Sequence, residues 1–295
     1  MDYSSKFMVK PGSGLKLAKI NPSQTGDFKS KDAALKILDA NQKKLTDLQY
    51  KLYAEGKQSL LIVLQALDAG GKDGIINHVL APMNPQGCRV AAFKVPTPEE
   101  LEHDFLWRIH RNVPKKGEVV IFNRSHYEDV LVARVHNLAP RAVWMERYEL
   151  INDFEKLLAA SNTRIIKFFL YISKDEQLRR FESRLYETDK HWKISYGDYK
   201  ERQFWDDYIK AFEDAMSKCS TAQAPWFVIP ANHKWFRNLA VSQIVVETLE
   251  SMKMTTPEAT VDINEIRKLI AAEETGSGSE DAAVSGKKKS GKHKK

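Results

Sequence analysis

Between Ala66 and Gly74 the chain reads Ala-Leu-Asp-Ala-Gly-Gly-Lys-Asp-Gly, a glycine pair followed at once by a lysine and bracketed by two carboxylates. Glycines let backbone N–H groups curl around a phosphate, a helix start adds partial positive charge, and an ammonium bridges to a second phosphate. Ala69, Gly70, Gly71, Lys72 and Asp73 are therefore candidate phosphate contacts. Asp68 and Asp73 carry the hard oxygens that Mg2+ prefers, which makes them the candidate metal ligands. The spacing departs from GxxxxGK[ST]: Ala66 stands at the first glycine, and Asp73 replaces the Ser or Thr. A ligand-free turn from strand to helix is the plain alternative, and it leaves Lys72 without a task.

A second group, Asn123-Arg124-Ser125-His126-Tyr127-Glu128-Asp129, closes another apolar run. A guanidinium at a strand tip is suited to paired phosphate oxygens, so Arg124 joins Asp68 and Lys72 as a catalytic candidate. Asn123 precedes it, and the acids Glu128 and Asp129 follow a turn later, able to hold a second magnesium ion or to orient whatever accepts the phosphate. The alternative for Arg124 is a structural ion pair with Glu128 or Asp129. His126 is expected to pack or to orient substrate, because phosphoryl transfer depends mainly on positioning and charge neutralisation. Lys94 and Arg108 extend the expected phosphate groove. Farther on, Arg180, Arg184, Lys190 and Lys193 are interleaved with Tyr186, Trp192 and Tyr196. A merely solvated basic face has no need of those aromatics, so the group reads as a lid that folds over a polyanion.

The elements that must position these residues repeat as strand, helix, strand. Apolar runs at Ser59–Leu67, Arg89–Val95, Glu118–Phe122, Ile165–Ile172 and Trp226–Ile229 are expected strands, the first of them buried on both faces. Leu38, Leu45, Leu48 and Leu52 mark one face of a helix from a Ser30 N-cap to Gly56. Such alternation predicts an α/β fold, a three-layer α/β/α sandwich on a parallel sheet, with the site in the loops after the strands. Residues 1–29 read as an extended surface arm and 30–272 as the domain, with a lid insertion at 175–217. A closing helix spans Asn238–Met252, and 273–295 read as a disordered basic tail.

The net charge of +7 falls to +1 once the six lysines between Lys287 and Lys295 are set aside, so the body is not a general nucleic-acid binder. Cys88 and Cys219 form no CxxC pair and no zinc ligand set. No apolar run approaches the roughly 20 residues of a membrane helix, and no signal-peptide core follows the first residues. No membrane or nucleic-acid partner and a cytoplasmic location are the expectations.

Four blocks in register carry a family resemblance: Leu67–Asp73, then Phe93–Pro96 with His103–Arg108, then Asn123–Asp129, then Lys190–Ser195. From about Leu35 to Leu249 the chain resembles the polyphosphate kinase 2 family, and within it the class III, AMP/ADP-phosphorylating subgroup. The resemblance implies a thymidylate-kinase-like P-loop fold and Mg2+-dependent transfer of the terminal phosphate between inorganic polyphosphate and a nucleotide. It assigns Asp68 and Lys72 to the loop, Arg124 to the Walker B arginine, and Arg180, Arg184 and Lys193 to the lid; Lys234 and Arg237 fit its pattern near the fifth strand. Adenine nucleotides, with guanine nucleotides as further candidates, and a homo-oligomer are expected. An ATP-dependent kinase of the same fold and a non-catalytic polyanion binder acting through the tail are the competing readings.

Overall fold

The computed structural model describes residues 2–286 apart from Asp27 and Lys29. Five parallel strands form one sheet: β1 (Ser59–Gln65), β2 (Cys88–Ala92), β3 (Val119–Asn123), β4 (Thr163–Tyr171) and β5 (Trp226–Pro230), in the spatial order β2-β3-β1-β4-β5. All five overlap the runs expected from the sequence, with ends that differ by at most three residues. Every residue of β1 is buried, as its unbroken apolar sequence requires of a central parallel strand. Leu60 aligns with Val119 on one side and Arg164 on the other, so the tips of β1, β3 and β4 end together. The chain passes from β1 over β3 to β2, and later crosses to the opposite side for β4. This reversal puts the topological switch point at the β1 tip, where α/β sheets bind ligands.

One helical layer contains Lys31–Glu55, the segment Lys72–Leu80 and Lys234–Ser251; the other contains Val132–Val135, Arg141–Ala160 and Trp205–Cys219. The first helix ends on Gly56 in the left-handed conformation, its N–H returning to the Leu52 carbonyl, as the Gly56 stop predicts. Ser30 stands at the N-cap, but its side chain makes no capping bond. Leu38, Leu45 and Leu52 are buried on the predicted face, with Leu48 partly buried beside them.

Two expectations change. The N-terminal arm is anchored in the core: Tyr3 and Phe7 pack on Phe236, the Val9 N–H donates to the Trp226 carbonyl at 2.8 Å, and Leu17 is fully buried. Residues 256–286 form a second unit by themselves, whose helix Ile263–Gly286 continues past Ala272 into the segment expected to be disordered. Residues 287–295 lie outside the described residues.

Candidate active site

The turn after β1 takes the shape its glycines permit. Ala69 and Gly71 both have positive φ, at 61° and 104°. A Cβ on Gly71 would stand 1.8 Å from Arg237 Nη1, and one on Gly70 would stand 2.4 Å from the Ala66 Cβ, so neither position has room for a side chain. Lys72 opens the following helix and folds back, its Nζ donating to the Ala66 carbonyl at 3.2 Å. Desolvation, reinforced by the Arg124 guanidinium, holds this ammonium below the usual lysine range against the pull of Asp68, Glu128 and Asp73. The loop thus presents a partly desolvated cation with spare donors.

Arg124 reaches it from the tip of β3. The guanidinium pairs with Asp68 at 3.1 Å and with Glu128 at 3.6 Å, so the ion-pair alternative and the phosphate-site reading meet in one residue. Asn123 donates to Asp73 at 2.9 Å and ties the two loops a second time. Asp68 and Arg124 also border a small pocket of about 40 Å³ that Glu128, Glu201, Arg202, Trp205 and Tyr208 complete on the far side. Burial pushes the Glu128 carboxyl up, against Arg124 and Lys72.

On the near side lies a cleft of about 810 Å³, whose lining carries nine Lys and Arg side chains against three aspartates. Lys72, Lys94, Arg124, Arg180, Arg184, Lys190 and Lys193, all singled out in the sequence, border it. Lys234 and Arg237, absent from the residue-level reading, stand at the start of the helix after β5 and complete the wall. Their i, i+3 spacing was the available signal. Arg237 is 2% exposed, and its hydrogen bonds go to the neutral Asn238 side chain. Among the described residues no carboxylate forms an ion pair with it, and burial and the charge of Arg180 push its pKa down to about 10.

Three residues make contacts that the sequence reading did not anticipate. Arg180 lines the cleft but is tied down by the backbone: its guanidinium donates to the carbonyls of Ala69 (2.9 Å), Gly70 (3.2 Å), Ala231 (2.5 Å) and Asn232 (3.1 Å) and to Glu176 (2.7 Å). Arg108 is buried away from the cleft, donating to the Lys94 carbonyl at 2.9 Å and lying 3.9 Å from Asp129. Asp129 faces Arg108 and Arg147 instead of an acceptor, because the turn at His126–Asp129 sends adjacent side chains in different directions. His126 is fully buried against Phe154 and Tyr127, as a packing role requires. The lid itself is a chain of short helices, with Arg184 held by the Lys193 carbonyl and Asp198 and Lys193 over the Trp192 ring. Trp192 is 78% exposed.

Hard oxygens at Asp68 and Asp73 fit a magnesium ion. Among the described residues no cluster of three or more metal-ligating side chains is assembled, so most of an octahedral shell would have to come from water and phosphate, as is usual for this ion.

A glycine loop at the switch point of a parallel sheet, with a buried clamp beneath it and a cationic cleft above it, defines a P-loop phosphotransferase. The model of the family "Polyphosphate kinase 2 (PPK2)" matches residues 28–257. An AMP/ADP-polyphosphate phosphotransferase of Meiothermus ruber is 52% identical over 254 residues, 86% of this chain and 95% of that one. An ADP-polyphosphate phosphotransferase of Rhodopseudomonas palustris is 44% identical over 269 residues, covering 87% and 93%. The crystal structure of polyphosphate kinase 2 from Arthrobacter aurescens TC1 superposes with a TM-score of 0.89 at 44% identity, covering 92% of this chain and 97% of that one. The chain belongs to the polyphosphate kinase 2 family.

Proposed function

We propose that this protein transfers the terminal phosphate of inorganic polyphosphate to AMP and to ADP, and catalyses the reverse transfer, with Mg2+ as the metal. The observation that carries the reading is the cleft wall: Arg237 is buried beside the loop with no ion-paired acid among the described residues, and Lys72, Lys234 and the lid cations face the same space. Uncompensated buried charge is costly unless a ligand supplies the counter-charge. A linear phosphate chain has one negative charge per unit and a length that suits an open cleft more than a single phosphate pocket. The relatives' names, AMP/ADP-polyphosphate and ADP-polyphosphate phosphotransferase, point to the same donor and acceptors.

In this reading the loop amides and Lys72 grip the donor's end, and Arg124 meets the charge that develops on the phosphoryl group in flight. Asp68 holds Arg124 in place, and the pocket beyond it, with Glu128 at its floor, receives the acceptor phosphate. Asp68 and Asp73 would hold the metal, which when bound neutralises phosphate charge. Arg184, Lys190 and Lys193 cover the donor and exclude water.

An ATP-dependent kinase would explain the loop equally well, but Asp73 stands where that class places Ser or Thr. The test is to incubate the protein with Mg2+ and AMP, then ADP, offering polyphosphate or ATP as donor and separating the products. Polyphosphate-dependent ADP and ATP, abolished by EDTA, is the expected result; transfer from ATP alone overturns the donor. The same assay with GMP and GDP tests guanine nucleotides. A cytoplasmic location accords with these acceptors, and no helix among the described residues is long and apolar enough to cross a membrane. A homo-oligomer is also proposed, to be checked by light scattering.

A further inference from the structure

Behind the site, on the side away from the cleft, two charged residues are buried in the middle of the core. Lys167 stands inside β4, and Glu155 on the helix Arg141–Ala160; both are almost fully buried. The Lys167 ammonium donates to Glu155, to the Tyr127 hydroxyl at 2.9 Å and to the Cys219 carbonyl at 2.7 Å, which uses all three of its protons. Glu155 Oε1 accepts from the Tyr127 hydroxyl at 2.9 Å and lies 3.2 Å from His126 Nε2. A buried pair of this kind is weak support for stability, since packed apolar residues of similar volume do as well or better. Its position suggests a different task.

The residues it grips belong to the turn that delivers the site. Along this segment, Arg124 and Glu128 point forward to the reacting space, while His126 and Tyr127 point back to Glu155. Between them Ser125 Oγ accepts from the Tyr127 N–H at 3.2 Å and from Gln65 Nε2, at the end of β1, at 3.1 Å. Arg124 has a φ of 64°, a left-handed conformation that is strained for a non-glycine residue and persists only where its surroundings over-determine it. On its N-terminal side the strand does this: the Arg124 N–H donates to the Leu64 carbonyl at 3.1 Å, and the Asn123 carbonyl accepts from Phe93 at 3.1 Å. On its C-terminal side the strand has ended, and the buried charges take over.

We propose that Glu155 and Lys167 are positioning residues for phosphoryl transfer, holding Arg124 at the cleft and Glu128 at the small pocket beside it through His126 and Tyr127. The proposal rests on the phosphotransferase reading above, and its test separates the two. The double variant Glu155→Leu/Lys167→Met removes both charges at once and leaves neither unpaired. Tyr127→Phe removes only the hydroxyl between them and keeps the ring in its packing against Trp226. Melting temperature is measured for each, then kcat and KM for polyphosphate, well below each variant's own melting point. A stability role predicts unchanged kcat under those conditions. The positioning role predicts a double variant that, whatever its melting temperature, loses about tenfold in kcat, with KM for polyphosphate within about twofold. Tyr127→Phe is expected to lose about threefold in kcat, and it carries the test if the double variant does not fold. Wild-type kcat in either folded variant overturns the proposal. If the wild-type protein transfers only from ATP, the donor assignment fails while the same kcat comparison, made with ATP, still decides this one.

Discussion

The helix Lys174–Tyr186 carries two arginines one turn apart that do unlike work. Arg180, at the root, is 8% exposed and spends its donors on backbone carbonyls from the glycine loop and from the loop after β5. Arg184, toward the tip, donates to the Lys193 carbonyl and Asp198 and lies over the Phe181 ring, all parts of the lid. Helical spacing puts the two on one face, but the direction of the helix decides that one enters the core and the other reaches over the cleft. The deep wall is therefore built before substrate arrives, and the outer wall is assembled from cations nearer the surface, the half-buried Lys190 and the exposed Lys193. Rigid donors supply catalysis without reorganisation, whereas mobile ones supply capture.

Breaking the deep wall has the largest expected effect. Lys72→Ala and Asp68→Asn should each lower kcat by about 10²- to 10³-fold, the usual loss for a preorganised transition-state donor. Both side chains border the cleft, so circular dichroism and the melting temperature should stay close to wild type. Near-normal turnover in either folded variant would remove the loop from the chemistry. Gly71→Ala should rank next, with a loss of about 10²-fold in kcat/KM and a lower melting temperature. The added Cβ meets Arg237 Nη1 at 1.8 Å, and a φ of 104° is strained for any side chain. A Gly71→Ala protein of normal stability and activity would show that the loop is softer than its contacts imply.

The deep wall's chemistry was legible in the sequence wherever a local pattern and a functional residue coincide. The loop from Asp68 to Asp73 sits between a fully apolar strand and a helix start, so both its shape and its cargo could be read from nine residues. Arg124 was legible for the same reason, as a cation at a strand tip. The backbone contacts of Arg180 were not legible, because periodicity reports a helix face but not what the face abuts. Asp129 and Glu128 could not be told apart because the direction of each side chain is set by a short turn that has no sequence period. Lys167 escaped notice altogether: six apolar neighbours in β4 announce a buried strand, and the partner that makes a lysine tolerable there, Glu155, comes from a different element.

Arg180→Met tests the clamp and should have an intermediate effect. Four carbonyl oxygens, on Ala69, Gly70, Ala231 and Asn232, lose their donor. An unsatisfied buried polar group costs about 1–3 kcal/mol, so a clear drop in melting temperature is expected, with kcat down roughly tenfold as the loop loosens. Were Arg180 a lid cation, the melting temperature would hold and KM for polyphosphate would rise instead.

The outer wall should respond most weakly, and in a different parameter. Lys190 pairs with Glu187 and Lys193 lies 4.9 Å from the Trp192 ring centroid, contacts that solvent can replace at little cost. The double variant Lys190→Ala/Lys193→Ala should therefore fold normally and keep kcat within about twofold, while KM for polyphosphate rises about three- to tenfold at low ionic strength. Because these charges act across water, the difference should shrink near 1 M salt, where the screening length is only about 3 Å. The deep-wall variants should show no such salt dependence, since their partners are held inside the loop. A kcat loss in the lid variant equal to that of Lys72→Ala would erase the division, and would mean that the lid supplies a transition-state contact as well as the attraction that gathers the donor.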